Sequence, residues 1–304
     1  MRNILIGSRG STLALAQTKL VVDSLKKHVP ALHCRIIPIK TSGDTLHEKP
    51  QAVFDNKSLF TKEIEESLLK GQVDMAVHSM KDLTASLPAG LTIASVPARG
   101  DHRDALVSRS KEKFQHLRGG ARIGTSSSRR KSQLLAARAD LQIVDMHGNV
   151  DTRLRKLRSG ECDAVILAAA GLDRLGLERH VTEFLSTEIL LPAVGQGALA
   201  IQTRENDNEV IELLSHIEHR PTRRAIEAER AFARKLGANC KTPIAAYART
   251  TGSKIEIDGL VASSDGRKVM RSRLASEYAD AGKVGEELAD SLLKQGAELV
   301  LEAQ

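Results

Sequence analysis

Val73-Asp74-Met75-Ala76-Val77-His78-Ser79-Met80-Lys81-Asp82 sets an apolar run, 73–77, directly before a polar turn in which a lysine stands beside a carboxylate. The run predicts a strand. At its end an aspartate can steer a proton or steady a developing cation while cations around it hold an anionic substrate. A Lys-Asp pair at a strand end also reads as a solvated turn, so its company along the chain decides. Strand and helix signals alternate on both sides: a strand over 4–7, an amphipathic helix over 12–28, a strand over 34–39 and a helix over 61–70. That alternation predicts an α/β layer with a largely parallel sheet.

Pro97-Ala98-Arg99-Gly100-Asp101 makes a polar break, after which the pattern restarts. Strands are predicted over 104–107, 122–124, 142–146 and 163–167, with helices over 129–138 and 150–158, so two α/β domains of similar size are expected. Leu191-Pro192-Ala193-Val194-Gly195-Gln196-Gly197-Ala198 precedes a strand over 199–202 and predicts a hinge or a crossing back to the first domain. Charged helices follow over 206–236, then short strands within 244–272 broken by Gly252, Gly259 and the Asp265-Gly266 turn, then a helix over 281–294. These form a third, smaller α+β domain. The chain has no internal sequence repeat and no low-complexity segment.

The 304 residues, 41% hydrophobic and 27% charged, describe an enzyme-sized soluble chain. Neither a secretory signal nor a run of ~20 apolar residues appears, so a cytoplasmic location without membrane association is expected. Lys and Arg number 45 against 38 Asp and Glu, a net charge of +7 that calls for an anionic partner. Two Tyr, five Phe and no Trp leave few stacking platforms, which argues against nucleic acid and for small polyanions. Three cysteines, Cys34, Cys162 and Cys240, are too few and too dispersed for a disulfide framework or a metal cluster. Cys34 and Cys162 adjoin strand patterns and read as core or near-core residues. Cys240 lies in the turn-forming segment Gly237-Ala238-Asn239-Cys240-Lys241-Thr242-Pro243, where the neighbouring cation favours thiolate. An unreactive loop cysteine is the alternative.

Gly124-Thr125-Ser126-Ser127-Ser128-Arg129-Arg130 joins a strand to a helix. Amides at a helix N-terminus, hydroxyl donors and two guanidinium groups form a receptor for carboxylate or phosphate. The plain alternative is a serine N-cap followed by two solvated arginines. Gly7-Ser8-Arg9-Gly10-Ser11 repeats the arrangement at the first strand, with Gln17 one and a half turns along the next helix. The two turns, one per domain, are expected to face each other across a cleft. Lys57, Arg153, Arg155 and Arg174 are further cations. No phosphate loop ending in Gly-Lys-Ser/Thr is present, so nucleotide binding is not expected.

Over nearly its whole length the chain resembles the porphobilinogen deaminase (hydroxymethylbilane synthase) family of tetrapyrrole biosynthesis. The strand-to-helix turns and the 78–82 motif carry the resemblance, together with Ser58-Leu59-Phe60-Thr61-Lys62-Glu63, Gly148-Asn149-Val150, Thr152-Arg153-Leu154, Ala170-Gly171-Leu172 and the 191–198 segment. It implies two periplasmic-binding-protein-like α/β domains around a cleft plus a smaller C-terminal α+β domain. The implied boundaries are 1–98 with 198–216, then 99–197, then 217–304. It also implies a monomeric, metal-free transferase that joins four porphobilinogen units head to tail, releases ammonia, and extends a dipyrromethane primer held as a thioether on Cys240. Asp82 is then the catalytic carboxylate. The primer falls to Lys57, Ser79, Lys81, Thr125, Ser127, Arg129, Arg130, His147 and Arg153, and the substrate to Arg9, Ser11, Gln17, Arg174 and Gln196.

Some positions depart from the family pattern. His147 stands where the family usually has arginine, Val53 where many bacterial members have lysine, and Phe54-Asp55-Asn56 replaces a glycine-rich approach to Lys57. Ala238-Asn239 replaces the common Gly-Gly before Cys240, and Lys241 is unusual beside it. An imidazole with an ordinary pKa of ~6.5 is mostly neutral at pH 7, so weaker or more pH-sensitive primer loading or chain extension is expected. An active deaminase is the leading reading. A non-catalytic or weakly active paralogue that keeps the anion-binding cleft is the alternative, and a basic nucleic-acid binder has only net charge in its favour.

Overall fold

The computed structural model describes residues 3–45, 60–237, 242–277 and 280–302. The first elements are β1 (Ile4–Arg9), α1 (Thr12–His28), β2 (Cys34–Ile39), α2 (Ser42–Thr45), α3 (Lys62–Leu69), β3 (Met75–Ser79) and β4 (Leu91–Ser95). Then come β5 (Asp104–Ser108), β6 (Arg122–Gly124), α4 (Ser128–Ala137), β7 (Gln142–Val144), α5 (Val150–Arg158), β8 (Ala164–Ala168), α6 (Ala169–Asp173) and β9 (Glu183–Phe184). The chain ends with β10 (Leu199–Arg204), α7 (Asn208–Ser215), α8 (Arg220–Lys235), β11 (Ile244–Thr251), β12 (Lys254–Ala262), β13 (Val269–Glu277), α9 (Ala281–Lys294) and α10 (Ala297–Glu302). Two compact units result, Met1–Arg99 with Ala198–Arg223, and Gly100–Gly197 with Arg224–Gln304.

In the first unit the sheet order is β2-β1-β3-β10-β4. β1 runs parallel to β2 and β3, whereas β10 is antiparallel to β3 and β4. Ile6, Val21, Leu25, Met75, Val77 and Ile201 form a core on one face, and Ile64, Leu68, Val73, Ala76 and Leu91 form one on the other. β3 is therefore covered on both faces, and this explains why Met75, Ala76 and Val77 follow one another without a polar residue between them. α1 forms where expected because Val21, Val22 and Leu25 line its buried face, the Ser11 hydroxyl caps it by accepting from the Ala14 amide, and Lys26, Lys27 and His28 oppose the dipole in its last turn.

The second unit repeats this topology with unrelated sequence: its sheet order is β7-β6-β8-β5-β9, with β6 parallel to β7 and β8, and β5 antiparallel to β8 and β9. In both sheets the strand in fourth place is the one that follows a crossing, β10 after the chain re-enters at Ala198 and β5 after it leaves at Arg99. A strand that arrives by such a crossing needs no helical return and can lie antiparallel. Both sheets are accordingly mixed, where a largely parallel sheet was expected.

A separate antiparallel sheet, β11-β12-β13, lies within the second unit. Phe232, Ile257, Val284, Leu288 and Leu292 pack on it in one core. Gly259, expected to interrupt a strand, sits inside β12 paired with Ala246 and Ser272. A Cβ there would meet Leu288 and Phe232 at 2.8 Å, so the glycine permits close helix–sheet contact rather than a break.

Candidate active site

In each α/β sheet the residues singled out from the sequence gather at one edge, the carboxyl ends of the parallel strands and the entry end of the antiparallel one. Ligands bind at this edge in open α/β sheets because loops and helix N-termini converge there. In the first unit β1 ends at Arg9 and β3 at Ser79, opposite Leu199 at the start of β10. Gln17, buried on α1, donates its side-chain amide to the Ser79 hydroxyl at 2.9 Å. Thr18 likewise donates to the buried Ser8 hydroxyl at 2.9 Å, which fixes the turn between strand and helix. The Arg9 guanidinium lies 4.2 Å from the centre of the Phe60 ring.

After β3 the chain makes one tight helical turn, Met80–Asp82. Met80 anchors it: the side chain is buried, and its amide donates to the Ala198 carbonyl at 3.0 Å. Lys81 and Asp82 are left exposed. Among the described residues the Asp82 carboxylate makes no hydrogen bond or ion pair. His78, one residue before Ser79, is buried, and burial first, with the Arg9 charge adding, pushes its pKa down to about 4 against the opposing Gln202 hydrogen bond. Its imidazole is neutral at pH 7.

In the second unit β6 ends at Gly124, where a Cβ would meet the Met146 side chain at 2.7 Å. The following turn is tied internally. The Thr125 hydroxyl accepts from the Ser127 amide at 3.2 Å, the Ser126 hydroxyl donates to the Met146 carbonyl at 3.1 Å, and the Ser127 side chain caps α4. Arg129 and Arg130 do not point into solvent, as the plain alternative held; they are 5% and 6% exposed. Asp104, fully buried at the start of β5, accepts at one oxygen from Arg129 Nη1 (2.9 Å), and at the other from Arg130 Nε (3.0 Å) and Nη2 (2.7 Å). Arg130 Nη1 donates to the Ile166 carbonyl at 2.9 Å and Arg129 Nη1 to the Leu191 carbonyl at 2.7 Å. Gln133 adds a two-way bond to the Leu191 backbone.

Arg153, on α5, donates Nε to the Gly148 carbonyl at 2.8 Å. Burial first, then the charge of Arg130, lowers its pKa to about 10, and Asp145 opposes the shift. Arg129, Arg130 and Arg153 thus form one cationic cluster. Arg174 is tied to the residue after Gln196: Arg174 Nη2 donates to the Gly197 carbonyl at 2.6 Å, and the Gln196 amide donates to the His102 carbonyl at 2.8 Å. Burial lowers the Arg174 pKa, with Asp173 opposing. Gly197 takes φ +87°, and a Cβ there would lie 2.7 Å from the Gly100 carbonyl oxygen, so no other residue fits this crossing. His147 is half-exposed, with Nε2 2.9 Å from an Asp145 carboxylate oxygen. Arg155 is exposed on α5.

Lys57 and Cys240 lie outside the described residues, as do Val53, Ala238, Asn239 and Lys241. Cys162 is buried, and burial raises its thiol pKa to about 11, consistent with an inert core residue, while Cys34 is partly exposed. Asp104 was missed as a site residue; its one signal in the sequence is a carboxylate heading an otherwise apolar strand. No helix among the described residues is long and apolar enough to cross a membrane.

Residues 4–212 match the family model described as "Porphobilinogen deaminase, dipyromethane cofactor binding domain", and residues 224–294 match "Porphobilinogen deaminase, C-terminal domain". Porphobilinogen deaminase of Syntrophus aciditrophicus is 48% identical over 297 residues, covering 98% of this chain and 97% of the relative. That of Bacillus cereus is 48% identical over 306 residues, covering 100% and 98%. Among solved structures, the periplasmic VFT2 domain of Bordetella pertussis BvgS aligns at TM-score 0.43 with 16% identity over 71% of this chain and 85% of that one, a likeness too low to bear on function. With both of its parts matched and relatives covered almost end to end, the chain belongs to the porphobilinogen deaminase family.

Proposed function

We propose that this protein is a hydroxymethylbilane synthase that condenses four porphobilinogen molecules head to tail on a dipyrromethane primer attached to Cys240. The observation that carries the reading is the buried cluster at the carboxyl edge of the second sheet, where Arg129 and Arg130 share the single carboxylate of Asp104 and Arg153 adds a further charge. Buried positive charge in excess calls for an anion. The acetate and propionate groups of pyrroles supply it, so the donor set fits the primer. Bound there, the dipyrromethane supplies the pyrrole end from which the product grows.

The chain's own residues divide the work. Arg129 and Arg153, with Thr125 and Ser127 at the head of α4, hold carboxylates of the primer, and Arg130 contributes charge while its donors stay on Asp104 and Ile166. Ser79, Lys81, Lys57 and His147 complete the primer set. Arg9, Ser11, Gln17, Arg174 and Gln196 serve the incoming unit. Asp82, exposed on its anchored turn, stabilises the positive charge that develops on the substrate pyrrole as its aminomethyl nitrogen departs as ammonia. The carbon released from nitrogen bonds to the acceptor pyrrole, which loses a proton. Domain limits of 1–98 with 198–216, 99–197 and 217–304 belong to this reading and are supported by the three separate sheets. So do a monomeric state, a cytoplasmic location, and the absence of metal, nucleic-acid and membrane partners.

Intact mass of the purified protein tests the reading: an adduct of dipyrromethane size is expected, and Cys240→Ser is expected to abolish it together with product formation. A wild-type protein that stays adduct-free after incubation with porphobilinogen would instead support the non-catalytic binding module. His147→Arg is expected to raise the adduct-bearing fraction, because a guanidinium offers a primer carboxylate a permanent charge and a planar two-donor fork. An unchanged fraction would show that position 147 plays no part in loading.

A further inference from the structure

We propose that Asp104 is a positioning residue for the reaction: by clamping one nitrogen of Arg129 it leaves the Nε–Nη2 edge of that guanidinium as the one that receives a primer carboxylate. The inference rests on the enzymatic reading of the site. Arg129 and Arg130 are adjacent in sequence yet are held differently. Arg130 spends its Nε–Nη2 edge on one oxygen of Asp104 and its Nη1 on the Ile166 carbonyl. Arg129 bonds through Nη1 alone, to the other Asp104 oxygen and to the Leu191 carbonyl. Its Nε is buried with no partner among the described residues. The Nε–Nη2 edge is the planar fork that grips a carboxylate with two parallel bonds.

A buried donor without a partner costs free energy in the protein alone and is relieved when an acceptor arrives. Two guanidinium groups this close repel each other and resist burial, and the carboxylate between them offsets both effects. Its two oxygens face different arginines, so it sets orientation as well as charge. Without it, Arg129 keeps only its bond to the Leu191 carbonyl and Arg130 only its bond to the Ile166 carbonyl, and one bond each does not fix the direction of a fork. Of the two arginines, Arg129 therefore acts on the ligand, while Arg130 is part of the mounting.

The test uses the full-length enzyme as purified. Asp104→Asn keeps the shape and removes the charge. The fraction of chains carrying the primer adduct, read by intact mass, is expected to fall. Turnover per adduct-bearing chain is expected to fall about 100-fold, the scale of a misplaced reacting group, with KM for porphobilinogen changed by less than about threefold, because the misaligned partner is already attached. Leu106→Ala, buried on the same strand, serves as a control for stability alone. If Asp104→Asn compromises folding, Asp104→Asn/Arg129→Gln removes both charges of the Arg129 contact while Arg130 keeps the amide oxygen of Asn and the Ile166 carbonyl, and its turnover per adduct-bearing chain is expected to match that of Arg129→Gln, since Asp104 acts on the primer through Arg129. Normal loading and turnover in Asp104→Asn, an equal loss in Leu106→Ala, or additive losses in the double variant would each overturn the inference. A wild-type enzyme without adduct would instead remove the enzymatic reading beneath it.

Discussion

Asp82→Asn is expected to reduce product formation by at least about 100-fold while leaving the fold and its stability unchanged. The carboxylate is exposed on the Met80–Asp82 turn and bonds to no described residue, so its loss orphans nothing. The turn itself is held by the buried Met80 side chain and the Met80–Ala198 backbone bond, neither of which involves residue 82. An exposed substitution of this kind changes stability by about 0.5 kcal/mol or less. The amide keeps the size of the side chain and removes the charge, which isolates the electrostatic role. Urea unfolding and circular dichroism, with product formation at saturating porphobilinogen, check both halves of the expectation. Product formation within about tenfold of wild type would take the carboxylate out of the mechanism.

Phe232→Ala is expected to cost about 4 kcal/mol, the largest loss anticipated from a single side chain here. Phe232 is fully buried on α8 and belongs to the core beneath β11, β12 and β13. Two glycines make the space for it. A Cβ on Gly259 of β12 would meet its ring at 2.8 Å, and one on Gly285 of α9 would lie 2.1 Å from the Ala228 carbonyl oxygen and 3.0 Å from the Phe232 amide. The backbones of α8 and α9 already touch at Gly285 and cannot close further on a missing ring, so most of the cavity remains. Thermal and urea unfolding measure the loss. If the cost is below about 1 kcal/mol, the site collapses freely and the close packing assigned to the glycines is absent.

Local patterns were legible where local forces decide. α1, α5, α9 and β2 lie where the apolar pattern of the sequence puts them, since a helix or strand that buries one face needs only its own local periodicity to be read. β4, with the mixed sequence Leu91-Thr92-Ile93-Ala94-Ser95, carried no such pattern and was not anticipated. Its pairing with β10 comes from a segment more than a hundred residues away, and no local window contains that partner. Gly259 misled for a related reason: its neighbours in space, Leu288 and Phe232, lie on elements remote in sequence.

The candidate site divides in the same way. Sequence alone determined its chemistry: a carboxylate after a strand, a hydroxyl-rich turn with two arginines, an excess of cations and an ordered series of motifs that carries the family. It also placed Arg9, Thr125 and Arg129 at strand-to-helix turns and Ser79 at a strand end, because an α/β chain brings such positions to one sheet edge. Only the tertiary structure decided which charges are spent within the protein and which edges stay open. Arg129 and Arg130 read alike as letters, yet one fork is taken up by Asp104 and the other is not. That difference arises from β5 entering the second sheet antiparallel beside β8, which sets the Asp104 carboxylate within reach of α4. Burial then makes the choice costly to reverse, because a charge removed from water must keep the partner that folding assigns to it.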